Sequence, residues 1–357
     1  MKTVFHDFDE VCKKSPKCGD RLVEFLNPLL QPEDLRNKIK ETSFGSDIVF
    51  SINERATIQQ AKVILEKLNK LLKKKSRLQK KGDYEGYKEM MAKACDLNNE
   101  YFELIPREEF AYDKMELILD EHASDRAMRN LDSIIDLDIS LKLAYGAYQN
   151  APQKNPYDYV SKALPCSMNL LGENDKTYKL IHHYINSDSG SDSSYFIKNV
   201  FEIGHNHSAQ SEKKFQSTAN HQMLWHGTPN QNIFSILKNG LRVKPGNASQ
   251  HGSMFGEGIY FADQFSKSQV YSYGDNEHQY LLLCEVALGK MHNTLVFNDS
   301  KINPKELKID SIRGMGRQGP DLSQSVIKDG ALWHIGNEIT YPEPFFAGHN
   351  PDDFTSV

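Results

Sequence analysis

LWHGT (Leu224–Thr228), GLRVKP (Gly240–Pro245) and GSMFGEGIYFADQFSKSQVY (Gly252–Tyr271) follow one another closely, and GNEITY (Gly336–Tyr341) lies further on. Together they set a His, a Tyr and a Glu near glycines or asparagines, beside short apolar, strand-like runs. A hydrophobic core has no use for that mixture, whereas a pocket for a polar ligand such as a dinucleotide does. His226 can donate or accept a hydrogen bond at neutral pH, and Gly227 lets a ligand approach the backbone N–H and C=O. Neither is specific alone, since a lone His beside a Gly is more often structural. Gly256-x-Gly258-x-Tyr260 lacks the third glycine and the preceding strand of a dinucleotide-binding fingerprint, and there is no Walker-type phosphate loop. Ser268 and Tyr271 stand at i and i+3 of a short predicted helix, on the same side. A hydroxyl and a ring placed so can hold a flat, amide-bearing ligand by hydrogen bonding and stacking.

Outward from this stretch the chain changes character. Residues 1–150 are rich in Leu, Lys, Glu, Asn and Asp and poor in Gly. Helical periodicity recurs at Asp20–Leu30, where Asp20 is the expected N-cap, and at Ser51–Lys81, with a stop at Gly82. It recurs again at Tyr84–Leu104 and at Asp125–Tyr148. A further helix is expected to open at Pro32. Such a succession of amphipathic helices predicts an all-α bundle. The polar, Pro-containing run Gln149–Pro156 reads as a linker. From 151 to 357 short β-prone runs appear: Tyr195–Ile203, GIYFAD, Tyr280–Leu288 and Asn293–Phe297, interleaved with short helices such as Gln231–Gly240. This predicts an α+β domain with a mostly antiparallel sheet. SDSGSDSS (Ser187–Ser194) reads as a solvated loop.

The 357 residues suffice for two domains, and 39% hydrophobic with 25% charged residues is ordinary for a soluble protein. The net charge of -5 does not suggest a nucleic-acid binder. The five cysteines are odd in number and scattered without a CxxC pair, so reduced thiols in an intracellular compartment are expected rather than disulfides or a zinc cluster. No apolar run approaches the roughly 18 residues of a membrane span, and no signal-peptide core opens the chain. The basic run Lys67–Lys81 reads first as the solvated end of a helix, with polyanion contact or nuclear import as the alternative.

Taken together, LWHGT, ILKNGLRVKP, MFGEGIYFADQFSKS, LLLCEVALGKM, IRGMG and NEITY resemble, in order and spacing, the catalytic domain of the poly(ADP-ribose) polymerase family. DLNNEYFELIP (Asp96–Pro106) and LDSIIDLDISLKL (Leu131–Leu143) resemble the helical regulatory domain of its DNA-damage-dependent members. The resemblance implies an all-α helical bundle over 1–150, followed at 151–357 by an α+β, mostly antiparallel two-sheet ADP-ribosyltransferase domain. It implies NAD+ as substrate, no metal, and protein acceptors including the chain itself. His226, Tyr260 and Glu338 would form the catalytic triad. His226 would hold the adenosine ribose, Gly227 and Ser268 the nicotinamide amide, and Tyr260 and Tyr271 the two faces of its ring. Thr228, Asn232 and Arg242 would face the adenosine half and the phosphates. Met254 and Phe255 fall in the acceptor region.

The chemistry agrees with this assignment. Cleaving the nicotinamide–ribose bond passes through an oxocarbenium-like state, as glycoside hydrolysis does. Nicotinamide leaves without a general acid, so orientation and stabilisation of positive charge are what the protein must supply. A single carboxylate, Glu338, can hold the neighbouring ribose hydroxyl and also orient an acceptor hydroxyl. A complete triad is compatible with polymer elongation; mono-transfer, or a degenerate NAD-binding scaffold, remains as an alternative. The chain departs from the family pattern at Glu257, where close relatives often have Lys, and at Gly336, where several polymerases have Tyr. The family's last apolar strand is not visible after Tyr341. A nuclear location follows from the resemblance and the one basic run. DNA contact is expected only through regions missing from this chain or unrecognised in it, and membrane contact is not expected.

Overall fold

The computed structural model describes residues 14–30, 55–105, 117–151, 153–188, 196–205, 207–243, 255, 258–272, 278–294 and 304–341. The helix expected at Pro32, the residues Met254 and Glu257, and the chain after Tyr341 lie outside them. The chain divides into two compact units, with the boundary after Ala163.

The first unit is helical: α1 (Asp20–Leu26), α2 (Arg55–Leu72), α3 (Lys75–Lys81), α4 (Tyr84–Leu104), α5 (Glu121–Asn150) and α6 (Pro156–Ala163). Residue 28 is proline, so α1 stops at Leu26 and Pro28–Leu30 turns as 3-10 helix, rather than one helix running to Leu30. Gly19, not Asp20, is the N-cap of α1; Asp20 is its first helical residue, where a carboxylate suits the dipole. α4 has the expected bounds, its first turn closed by the Asp83 carboxylate accepting from Gly86 N–H. Gly82 ends α3 at φ 66, as its sequence position suggests. The apolar stripe Ile58, Ala61, Ile64, Leu65, Leu68 and Leu72 packs with Ala94, Tyr101 and Phe102 of α4 and Leu131 and Ile134 of α5. Two buried polar side chains in this unit find partners far along the chain, Lys62 of α2 with Asp132 of α5, and Asn98 of α4 with both backbone groups of Ile118 in the segment before α5.

The predicted boundary at 150 falls one helix too early. Asp158 of α6 accepts from the backbone N–H groups of Lys17 and Cys18, at 2.8 Å each, and Tyr157 donates to Asn27 at 2.9 Å. These bonds tie α6 to the N-terminal segment, so the run expected as a linker lies within the helical unit, with Gln149 and Asn150 ending α5 and Pro156 opening α6.

The second unit contains β1 (Cys166–Leu170), α7 (Lys176–Asn186), β2 (Phe201–His205), α8 (Ala209–Ser217), β3 (His221–Gly227), α9 (Ile233–Asn239) and α10 (Phe265–Gln269). It continues with β4 (Leu281–Ala287), β5 (Met291–Thr294), α11 (Pro304–Leu307), β6 (Ser311–Gly314), β7 (Gln318–Pro320), β8 (Val326–Lys328), β9 (Ala331–Trp333) and β10 (Glu338–Thr340). Among the described residues there are four sheets, not two: β1-β2, β7-β10, β5-β6 and the mixed sheet β4-β3-β9-β8. β5-β6 and β3-β9 pair in parallel. Parallel neighbours come from distant sequence, which short-range alternation cannot reveal.

Tyr280–Leu288 holds as β4, but residues 196–200 of the run expected at Tyr195–Ile203 are not strand, and β2 covers Phe201–His205. GIYFAD is not a strand; among the described residues only Ala262 bridges, to Trp225. The core packs Tyr184 of α7 against Trp225 of β3 at 5.4 Å between ring centroids, and Trp225 edge-on to Phe265 at 5.3 Å. β3 is thereby fixed on both edges and on one face, and it delivers His226 and Gly227 at its end.

Candidate active site

β3 runs from an apolar centre, Leu224 and Trp225, into the polar pair His226-Gly227. Its backbone pairs with β4 throughout, and Trp225 exchanges both backbone hydrogen bonds with Ala262, at 2.8 and 2.9 Å. That bridge brings the GIYFAD segment beside the strand end. There the Nδ1 of His226 lies 2.8 Å from the carbonyl oxygen of Tyr260. A carbonyl can only accept, so Nδ1 carries the proton. In the neutral ring this makes Nε2 the lone-pair nitrogen, able to accept from a hydroxyl such as that of a ribose. The Tyr260 hydroxyl in turn accepts from the backbone N–H of Phe255 at 3.0 Å, and burial raises its pKa, so it remains protonated at neutral pH.

Gly227 is dictated by its surroundings. A Cβ there would stand 1.7 Å from the carbonyl oxygen of Ser268 and 3.2 Å from Cβ of Tyr271. Strand end and α10 therefore touch backbone to backbone, and Gly227, Ser268 and Tyr271 come together from segments forty residues apart in the sequence. Ser268 is buried and Tyr271 is half-exposed. α10 is anchored by a residue that the sequence reading placed in a solvated loop: Asp188, buried, accepts from Ser266 N–H at 2.6 Å and from its hydroxyl at 3.1 Å. Its neighbour Ser187 is also buried, so at least this start of the SDSGSDSS run is structural.

The remaining expected residues divide. Thr228 is buried and its hydroxyl accepts from the Asn232 amide at 2.9 Å, joining the strand end to the turn before α9. Arg242 lies past α9, exposed, with no hydrogen bond or ion pair among the described residues. Glu338 opens β10, opposite Pro320 of β7. Its Oε2 accepts from the Gln264 amide at 2.8 Å, which brings the glutamate to the segment that carries Tyr260. Gln264 and Asp188 were not picked out as site residues. Nothing local marks either one, because each acts on a partner more than seventy residues away.

A second polar group adjoins Gln264 through its chain neighbour Asp263. Asp263 pairs with Arg313 at 3.2 Å, and Tyr184 donates to the Asp263 carbonyl at 3.0 Å. His334, almost fully buried, meets the Gln222 side-chain oxygen at 2.8 Å through Nε2. Burial lowers its pKa, as does Arg313, against the opposing pull of Asp263.

Two known domain families match the chain. The poly(ADP-ribose) polymerase regulatory domain matches residues 49–160, and the poly(ADP-ribose) polymerase catalytic domain matches residues 175–339. Among curated proteins, the chain is 31% identical to poly(ADP-ribose) polymerase 1 of Gallus gallus over 250 residues, which is 69% of this chain and 24% of the relative. It is 28% identical to poly(ADP-ribose) polymerase 2 of Zea mays over 338 residues, 92% of this chain and 49% of the relative. The chain thus spans half or less of the length of these relatives. The two matched segments take up most of the sequence and fall on the helical unit and the mixed α/β unit respectively. By these matches, in this order, the chain belongs to the poly(ADP-ribose) polymerase family.

Proposed function

We propose that the chain is an NAD+ ADP-ribosyltransferase that releases nicotinamide, transfers ADP-ribose to protein acceptors including itself, and elongates poly(ADP-ribose). The observation that carries this reading is the contact of Gly227 with the Ser268–Tyr271 turn, too close for any side chain. It sets the backbone of Gly227 against the helix that carries Ser268 and the turn that carries Tyr271, and a backbone amide, a hydroxyl and an aromatic ring are the kinds of group that a planar carboxamide on an aromatic ring requires. In this reading Gly227 and Ser268 bind the nicotinamide amide, and Tyr271 and Tyr260 flank the ring. His226 accepts from the adenosine ribose, Thr228, Asn232 and Arg242 serve the adenosine half, and Glu338 stabilises the charge developing at the anomeric carbon. The helical unit is the regulatory domain and the second unit the catalytic one. A nuclear site of action and a role in the DNA damage response are part of the same proposal and rest on family membership.

A second reading, mono-transfer, is favoured by Gly336. The backbone of Asp321 fills the space where several polymerases of the family carry a Tyr side chain. Incubation with labelled NAD+ separates the two: a high-mass smear means polymer and a discrete band means single transfer. Absence of label overturns both.

A further inference from the structure

Gln264 is nearly fully buried, and its amide nitrogen is 2.8 Å from Oε2 of Glu338. An ionised carboxylate only accepts, so the amide N–H donates. Gln264 precedes α10 with an extended backbone and does not cap that helix with its side chain; Asp188 serves the first turn instead. Its amide is therefore available to Glu338. The backbone around it is clamped from several directions. Ala262 is bridged to Trp225, Asp263 is bonded to Tyr184 and Arg313, and Ser266 is bonded to Asp188. A neutral donor held so firmly can fix a carboxylate without cancelling its charge, which a lysine or arginine in its place would do. A carboxylate that must stabilise an oxocarbenium-like centre needs both a fixed orientation and its full charge.

We infer that Gln264 is a positioning residue for Glu338, holding one carboxylate oxygen and leaving the other to the ribose of NAD+. This rests on the reading of Glu338 given under Proposed function. The test compares Gln264→Met, Gln264→Leu, Glu338→Ala and the Gln264→Met/Glu338→Ala double variant in the full chain. Nicotinamide release and transfer from labelled NAD+ are measured, with thermal unfolding to identify folded variants. Gln264→Met, or Gln264→Leu if the first fails to fold, should lower kcat about tenfold with KM for NAD+ unchanged. In the Glu338→Ala background the same change should cost nothing further. If the Gln264 variants keep wild-type kcat while Glu338→Ala is crippled, the inference fails and the Glu338 reading stands. Losses that multiply in the double variant, or a rise in KM at constant kcat, also overturn it. If Glu338→Ala keeps full nicotinamide release and transfer, the Glu338 reading fails and takes this inference with it.

Discussion

A Cβ on Gly336 would lie 2.5 Å from the carbonyl oxygen of Asp321, and the N–H of Asp321 is bonded to the carbonyl of Asn337 at 2.9 Å. The segment leading into Glu338 is thus held against the one leaving β7, with no room between them for a side chain. Gly336 also donates its N–H to the Ser187 hydroxyl at 3.2 Å, so it is fixed on a second side.

Gly336→Tyr, which installs the residue that several relatives carry, should therefore destabilise the protein by about 2 kcal/mol rather than lengthen its product. Calorimetric unfolding measures this. An unchanged Tm would mean that the Asp321 backbone moves aside at little cost.

Gly227→Ala should be worse. A methyl 1.7 Å from the Ser268 carbonyl cannot be accommodated unless α10 shifts away from β3. We expect a loss of about 3 kcal/mol and at least roughly 100-fold weaker binding of a nicotinamide-mimicking inhibitor. Isothermal titration of the folded fraction checks the second figure.

Asp188→Ala removes both hydrogen bonds to Ser266 from a buried position. About 2 kcal/mol of stability should go. Because Ser268 and Tyr271 ride on the same helix and turn, KM for NAD+ should rise more than kcat falls; steady-state kinetics separates the two.

Glu338→Gln should reduce chain elongation about 100-fold while sparing more of the nicotinamide release, since the amide can still hold a ribose hydroxyl but carries no charge. Gel analysis of labelled product alongside a nicotinamide assay tests this. Wild-type polymer from the variant would refute the role.

The buried His334 predicts an acid limb in stability. Its folded pKa lies below the ordinary 6.5, chiefly through burial. Above 6.5 both folded and unfolded chains carry it neutral. As pH falls below 6.5 the unfolded chain takes up a proton that the folded one resists, so stability declines until the folded pKa is reached. Protonation would also leave an N–H at Nδ1, a buried atom with no hydrogen-bond partner among the described residues. His334→Leu should flatten this limb in urea titrations between pH 7 and pH 5, as judged from the ordinary histidine pKa.

What the sequence made legible was mostly local. The end of Tyr84–Leu104 could be read from Pro106, and β4 from a β-prone run that is apolar but for Cys284 and Glu285. The pairing of His226-Gly227 with Ser268 and Tyr271 was legible only through the family resemblance; spacing alone suggested no more than a polar pocket. Long-range interactions escaped. GIYFAD looks like a strand, yet among the described residues its backbone bridges only Trp225, and the carbonyl of Tyr260 meets His226. Asp188 looked solvated because its neighbours are Ser and Gly, and only the fold places it under α10. The parallel pairs β3-β9 and β5-β6, and with them the split into four sheets, depend on residues far apart in the chain.

The crowding at Gly227 also bears on how this site can change over generations. Most positions in a pocket can drift by single substitutions, each a little larger or smaller than the last. Gly227 has no such ladder, since the smallest step, one methyl, already collides with the main chain of Ser268. A lineage could abandon the site or keep it, but could alter this position only by rebuilding the facing turn at the same time. Glycine at 227 should thus be frozen for as long as the pocket is used, and its replacement should mark descendants that no longer use it.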